Sequence, residues 1–242
     1  IWTDVDGVLS ADPRYVPNAF VINELSVEEA MELSYFGAEV IHPYTMLPAV
    51  ENNIPIWIKN TMNPAVTGTL IAKKVKRHDY PITGIASIEG CSLINVEGGG
   101  MIGVPGVASR VFRALGEAEV NVIMISQASS EHSICVVCRN SESAQAAKAL
   151  ETELAWELEE RKINRVEVLR DLEAIAIIGE NMRGTPGISG RLFSSLGEAG
   201  VNVLAIAQGS SERNVSFVIH GRDRKTALTA IHGAFLEGET VS

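Results

Sequence analysis

Two stretches of this chain carry the same polar residues at the same spacing. Asn121 and Gln127 stand six residues apart in VNVIMISQ, and Asn202 and Gln208 stand six apart in VNVLAIAQ. Each stretch comes after a Pro-Gly pair, Pro105-Gly106 in the first and Pro186-Gly187 in the second. An amide side chain donates to a carboxylate or hydroxyl and accepts from an ammonium, which suits a zwitterion. A Pro-Gly turn opening a helix leaves the first backbone N–H groups without intrahelical acceptors, at the positive end of the helix dipole. Gly106, Val107 and Ala108 in the first stretch, and Gly187, Ile188 and Ser189 in the second, are thus positioned to hold the α-carboxylate of an amino acid. Asn121, Ile123, Ile125 and Gln127 share one face of a strand by parity, so the two amides and Ile125 reach the same side. Each position also has a plainer alternative. The turns can cap helices with no ligand, Asn121 can be a corner residue, and Gln127 and Gln208 can serve an interface. Glu131 and Glu212, each after Ser-Ser, read as hairpin-loop groups bonded within their own loops.

These polar residues belong to a longer duplication. Residues 96–138 recur without insertion or deletion as residues 177–219, displaced by 81 positions. About 20 of the ~43 aligned positions are identical, which makes two copies of one small domain rather than a solenoid. The identities fall on the Pro-Gly turn, on Leu-Gly-Glu-Ala, on Val-Asn-Val and on Gln-x-Ser-Ser-Glu, as well as on apolar positions.

Periodicity gives the elements that must position them. In the first copy, residues 91–97 alternate as a strand and Gly98-Gly99-Gly100 break it. Val107, Val111, Phe112, Leu115 and Ala118 then recur at helical spacing to about residue 118. Strands at 120–127 and 133–139, a helix at 142–160 and a strand at 163–169 complete a βαββαβ order, the ferredoxin-like split unit. The second copy reads as a strand at 174–179, a helix at 187–199, strands at 201–208 and 215–221, and a helix at 224–235. It lacks a sixth strand, and residues 82–88 form a strand with no partner of their own. The expectation is that 82–88 completes the second sheet, and stays out of the sheet of 91–97, with the first domain inserted between. The fold class is therefore α/β (α+β), with an α/β segment followed by two ferredoxin-like domains. The expected boundaries are 1–72, a charged linker 73–81, the discontinuous domain 82–90 with 171–242, and the inserted domain 91–170. In the first segment, Ser26 and Glu29 spell a capping box for a helix to about Phe36. Pro43, Pro48 and Pro55 punctuate the next stretch, a strand lies at 54–58, and KNTMNPAVTGTLI reads as a polar loop.

Composition narrows the function classes. Apolar residues make up 46% and charged residues 21% of the 242, as in a globular protein. A net charge of −10 disfavours nucleic acid and anionic membrane as partners. No apolar run reaches the ~18 residues of a membrane span. Starting at Ile1 in what reads as mid-strand, the chain is expected to be a piece of a longer protein. The three cysteines have no disulfide framework. Cys135 and Cys138 lie three apart on a strand and face opposite sides, so a shared metal is geometrically poor, and no metal site is expected.

TDVDGVLSADPR, LSYFGAEVIHPYTMLPAVENNIPIWIKNTMNPAVTGTLI and the duplicated VPGVAS…VNVIMISQASSE occur in this order, and together they resemble the aspartokinases over essentially the whole chain. The resemblance implies an amino-acid-kinase domain, here its nucleotide-binding part, followed by two amino-acid-binding ACT domains, one inserted in the other. It implies ATP-dependent phosphorylation of the side-chain carboxylate of aspartate, with Mg2+, in the intact enzyme. Thr3 and Asp4 match positions near adenine and ribose, Arg14 a phosphate-side arginine, and Lys59 borders the nucleotide site. Leu9 stands where many members have Tyr, and Glu39 where many have Lys; a carboxylate there repels phosphate. His42 reads as structural. The family's Lys-Phe-Gly-Gly segment is absent, so these residues alone are expected to be inactive, to hold no catalytic residue and to need no cofactor. Gln127 and Gln208 look like those of aspartokinases fused to homoserine dehydrogenase, which implies threonine as effector before lysine. A homodimer through the ACT domains and a cytoplasmic location, or a plastid one in a plant, are further implications. The rival readings are a free-standing amino-acid-binding module and a purely structural dimerisation module.

Overall fold

The computed structural model describes residues 1–37, 43–76, 78–101, 104–127 and 133–237. Glu39, His42 and Glu131 lie outside the described residues. The chain forms two units: Ile1–Ile88 with Ala174–Val203 and Gln208 onward, and Glu89–Glu173 with Leu204–Ala207.

In the first unit, β1 (Trp2–Thr3), β2 (Glu24–Ser26), β3 (Ile56–Asn60) and β4 (Thr69–Ala72) form a sheet in the order β1-β3-β4-β2. β1 runs parallel to β3, with Thr3 opposite Asn60, and β3 runs antiparallel to β4. Helix α1 (Val27–Tyr35) starts as its capping box requires: Glu29 N–H donates to Ser26 Oγ at 3.1 Å, and Ser26 N–H donates to Glu29 Oε2 at 2.9 Å. The expected strand at 54–58 begins two residues later, β4 lies where a polar loop was expected, and β2, which pairs with it in parallel, precedes α1 where no strand was expected. Helix α2 (Pro43–Glu51) also occupies a stretch whose prolines had read as breakers. Pro43 opens it, where a missing N–H costs nothing, and Pro48 is carried inside.

The duplicated region builds a sheet in the order β6-β7-β5-β8-β10-β9. Here β5 is Gly84–Glu97, β6 Met124–Gln127, β7 Ser133–Arg139, β8 Arg165–Ile178, β9 Ala205–Gln208 and β10 Asn214–His220. The helices are α3 (Val107–Glu117), α4 (Ser143–Glu153), α5 (Ala155–Glu159), α6 (Ile188–Glu198) and α7 (Arg224–Leu236). Residues 82–88 do pair beside 174–179: Thr83 N–H donates to Ile178 O at 2.7 Å. The separation from 91–97 does not hold, because 84–97 is one strand of 14 residues and β8 is another of the same length. Each carries one left-handed residue at equivalent repeat positions, Gly90 at φ 66° and Asp171 at φ 57°, so the ladder turns without ending. Asn140 holds both, taking Gly90 O with its N–H at 2.7 Å and Asp171 Oδ1 with Nδ2 at 3.2 Å. The helix expected over 142–160 is broken at buried Leu154 into α4 and α5.

Each unit has its own core. In the second, Val111 and Leu115 of α3 and Leu150 of α4 pack on Ile94 and Val136. In the first, Leu192 of α6 and Ile231 and Phe235 of α7 cover Ile175, Ile177 and Phe217, with Ile82 and Ile85 of the expected extra strand among them. Ala11 and Val16 of the N-terminal segment join this same cluster. None of the described helices is long and apolar enough to cross a membrane.

Candidate ligand-binding site

The N-terminus of α6 builds one wall of a cleft of about 140 Å3 within the first unit. Gly187 is its N-cap at φ 91°, a left-handed conformation that an L side chain adopts only with strain, and no side chain caps it. Arg191 N–H closes the first turn on Gly187 O at 2.9 Å, so the N–H groups of Ile188, Ser189 and Gly190 have no intrahelical acceptor. Gly187→Ala is expected to cost about 1–2 kcal/mol in a urea melt, a backbone effect only, because no atom stands within 4 Å of the added Cβ.

Opposite these donors stand Gln208, at the end of β9, and Glu212, in the turn before β10. Met182 and Thr185 complete the lining with the helix residues. Glu212 has φ 56°, and its Oε2 accepts at 2.6 Å from the N–H of Gly184 in the separate loop before α6, so its carboxylate does not bond within its own hairpin loop as expected. The cleft therefore joins free backbone donors, one amide and one carboxylate around a small volume. That set matches the carboxylate, polar side chain and ammonium of a small amino acid.

Of the residues singled out in the second copy, Gly187, Ile188, Ser189 and Gln208 come together here, whereas Asn202 is an exposed residue outside the lining. In the first copy, Gly106 adopts the same conformation at φ 93° and caps α3, with Val107 and Ala108 next in the helix. The shared face expected from parity is shorter than 121–127: β6 starts only at Met124, so Ile125 and Gln127 share a face and Asn121 does not belong to the strand. Asn121 instead gives its N–H to Glu142 Oε1 at 3.1 Å, a corner role. Ile125 and its repeat equivalent Ile206 are 46% and 44% exposed, and Ser126 Oγ donates to Ile206 O at 2.8 Å.

The N-terminal segment gathers a second polar group at the carboxyl ends of the parallel strands β1 and β3, where ligands of open α/β sheets bind. Thr3 Oγ1 donates to Asp4 Oδ1 at 3.1 Å, and Asp6 accepts from Asn60 at 2.7 Å and Asn63 at 3.2 Å. The contribution of Asp6 had no signal beyond its place in DVDG. Lys59 lies 5.9 Å from the Trp2 ring. Arg14 is engaged by Asp12, to whose carboxylate Nε and Nη2 donate at 3.0 and 2.6 Å. Burial raises the Asp12 pKa, but the Arg14 contacts outweigh it and hold the carboxyl below its usual range. Among the described residues, no cluster of three or more His, Cys, Asp or Glu could hold a metal ion.

Two other arrangements are structural. Ser10 Oγ lies 3.1 Å from His232 Nε2, and His232 Nδ1 lies 2.7 Å from Glu237 Oε1, a serine–histidine–carboxylate array. Ser10 and His232 are fully buried, and Ser10 Oγ accepts from Phe20 N–H, so the array ties the chain together and offers no nucleophile. Cys138 is buried, which with nearby Glu142 and Cys91 pushes its thiol up to about 11, away from the reactive thiolate.

Comparison with known proteins identifies the domains. The ACT domain model matches residues 94–154 and 175–235, and the amino acid kinase family model matches residues 1–60. A bifunctional aspartokinase/homoserine dehydrogenase of Haemophilus influenzae is 46% identical over 100% of this chain and 30% of its own length. A chloroplastic one of Arabidopsis thaliana is 46% identical over 99% of this chain and 27% of its own. The chain thus spans less than a third of these relatives. An aspartate kinase of Clostridium acetobutylicum superimposes with a TM-score of 0.86 at 31% identity, over 97% of this chain and 53% of that one. Aspartokinase III of E. coli, solved in complex with lysine and aspartate, superimposes with a TM-score of 0.77 at 30% identity, over 96% of this chain and 50% of that one. The chain belongs to the aspartokinase family, with an amino acid kinase segment followed by two ACT domains.

Proposed function

We propose that this chain is the part of an aspartate kinase that senses an end-product amino acid, and that the cleft of the second copy binds it. The observation that carries this reading is the convergence of the α6 N-terminus, Gln208 and Glu212 on one small volume. The effector's carboxylate sits on the N–H groups of Ile188 to Gly190, its ammonium faces Glu212, and Gln208 takes a side-chain hydroxyl. Threonine fits this set better than lysine, because the Gln208 amide offers its hydroxyl a partner, whereas a second ammonium finds only the one carboxylate, Glu212, in the lining. Gly106, Val107, Ala108, Ile125 and Gln127 form the corresponding site in the first copy. Calorimetry with threonine and with lysine tests the reading: heat with threonine supports it, and heat with lysine alone assigns the other effector. No heat with either removes the sensing function.

The whole enzyme transfers the γ-phosphoryl of ATP to the side-chain carboxylate of aspartate, a reaction that rests on positioning and charge stabilisation. In it, Thr3, Asp4 and Lys59 border the nucleotide, and Arg14 reaches phosphate only by leaving Asp12. Mg2+ arrives with the nucleotide. Domain boundaries at 72, 81, 90 and 170 belong to this proposal; the changes of unit after Ile88 and after Glu173 support the last two. A fused homoserine dehydrogenase is part of the same proposal, as the relatives suggest, and so is a location in the cytoplasm, or in the plastid of a plant. A free-standing module is disfavoured because Ala11 and Val16 of the kinase segment pack into the second-copy core. The exposed Ile125 and Ile206 support a homodimer through the ACT sheets. Light scattering at micromolar concentration is expected to give twice the chain mass, and a monomer would refute the dimer.

A further inference from the structure

Glu29 is fully buried on α1, and its two carboxylate oxygens serve different parts of the chain. Oε2 accepts from the N–H of Ser26 at 2.9 Å and from its hydroxyl at 2.8 Å, which holds the start of α1. Oε1 accepts from Thr83 Oγ1 at 2.5 Å and from Glu180 N–H at 2.9 Å. Glu180 opens a short 3-10 turn that ends at Met182, a lining residue of the cleft. The Glu180 carboxylate pairs with Arg213, whose chain neighbour Glu212 lines the cleft and holds Gly184 N–H. Asn181 fastens the same turn to the carbonyls of His78 and Tyr80, at 2.7 and 2.8 Å. The loop that walls the cleft therefore hangs, at its start, on a carboxylate that belongs to the first helix of the kinase segment.

We propose that Glu29 is the positioning residue through which occupancy of the second-copy cleft is coupled to α1. The proposal rests on the reading of that cleft as an amino-acid site. A ligand that shifts the turn at Met182 displaces Glu180 N–H, and the shared carboxylate either moves with it or loses a buried donor. Movement of the loop is thereby passed to Ser26 and the first turn of α1. Coupling is reciprocal, so a change at Glu29 also alters the affinity of the cleft.

Amide hydrogen exchange on the full chain, with and without millimolar threonine, tests this. Wild type is expected to slow its exchange both at 180–187 and at 27–35. In Glu29→Gln the slowing at 180–187 is expected to persist and that at 27–35 to vanish. A merely structural Glu29 would speed exchange in α1 in both states and leave the threonine-induced difference in place; that result overturns the proposal. Thr83→Val removes a single donor to Oε1 and keeps the carboxylate, so it serves if Glu29→Gln does not fold. It is expected to reduce the difference at 27–35, and an unchanged difference overturns the proposal. Slowing confined to 180–187 in wild type defeats the coupling alone, whereas no slowing anywhere defeats the ligand reading and the coupling with it.

Discussion

Glu29→Ala is expected to destabilise the chain by about 3–5 kcal/mol, the scale of removing one partner from a buried charged network. Its carboxylate receives the Ser26 N–H, the Ser26 and Thr83 hydroxyls and the Glu180 N–H, and alanine leaves all of them short of an acceptor in a buried setting. Burial by itself raises the Glu29 pKa, but the contacts from His78, Thr83, Glu180 N–H and Ser26 N–H outweigh it and bring it from 4.5 to about 2. A carboxyl whose folded pKa lies below its unfolded one contributes stability above the unfolded value, and that contribution is lost as pH falls through the folded value. Wild type is therefore expected to lose about 3 kcal/mol from this group between pH 4.5 and about 2. Glu29→Gln, which cannot ionise, is expected to lack that share of the acid slope. Urea melts of the three proteins across this range check both statements. A loss below about 1 kcal/mol for Glu29→Ala would show that the network is replaceable by water.

Gln208→Ala is expected to weaken threonine binding by up to about one decade, since Gln208 is exposed and an ordinary hydrogen bond contributes a net of about 0.5–1.5 kcal/mol. Gln208 is the amide that lines the cleft beside Gly187, Ile188 and Ser189, and truncation leaves the ligand's hydroxyl without its partner. Calorimetry on Gln208→Ala and Gln127→Ala in parallel separates the two copies. A strong loss in Gln127→Ala with an unchanged Gln208→Ala moves the site to the first copy. Equal affinity in wild type and both variants removes the amides from recognition altogether.

The residues that sequence reading located best are those whose conformation is decided within a few positions. The capping box of Ser26 and Glu29, the Pro-Gly turns at Gly106 and Gly187, and the helices that they open depend on local backbone sterics and helix-end hydrogen bonding, and the two copies of the duplication repeat the turns at the same position. The duplication likewise disclosed the shared fold and the partner of residues 82–88, because an incomplete strand count needs no coordinates. Tertiary pairing decided the rest. Whether 82–88 and 91–97 are two strands or one depends on β8 running alongside both, with Asn140 fixing the turn at Gly90 and Asp171. β2 and β4 are strands because they pair with each other 46 residues apart, and with three and four residues each is too short for periodicity to mark it as a strand. Asn121 looked equivalent to Gln127 by parity and left its face because the ladder begins three residues later. The Glu29 network was the least legible. Its donors come from Ser26, Thr83 and Glu180, and distant segments reveal a shared carboxylate only after the chain has folded to bring them within hydrogen-bond reach.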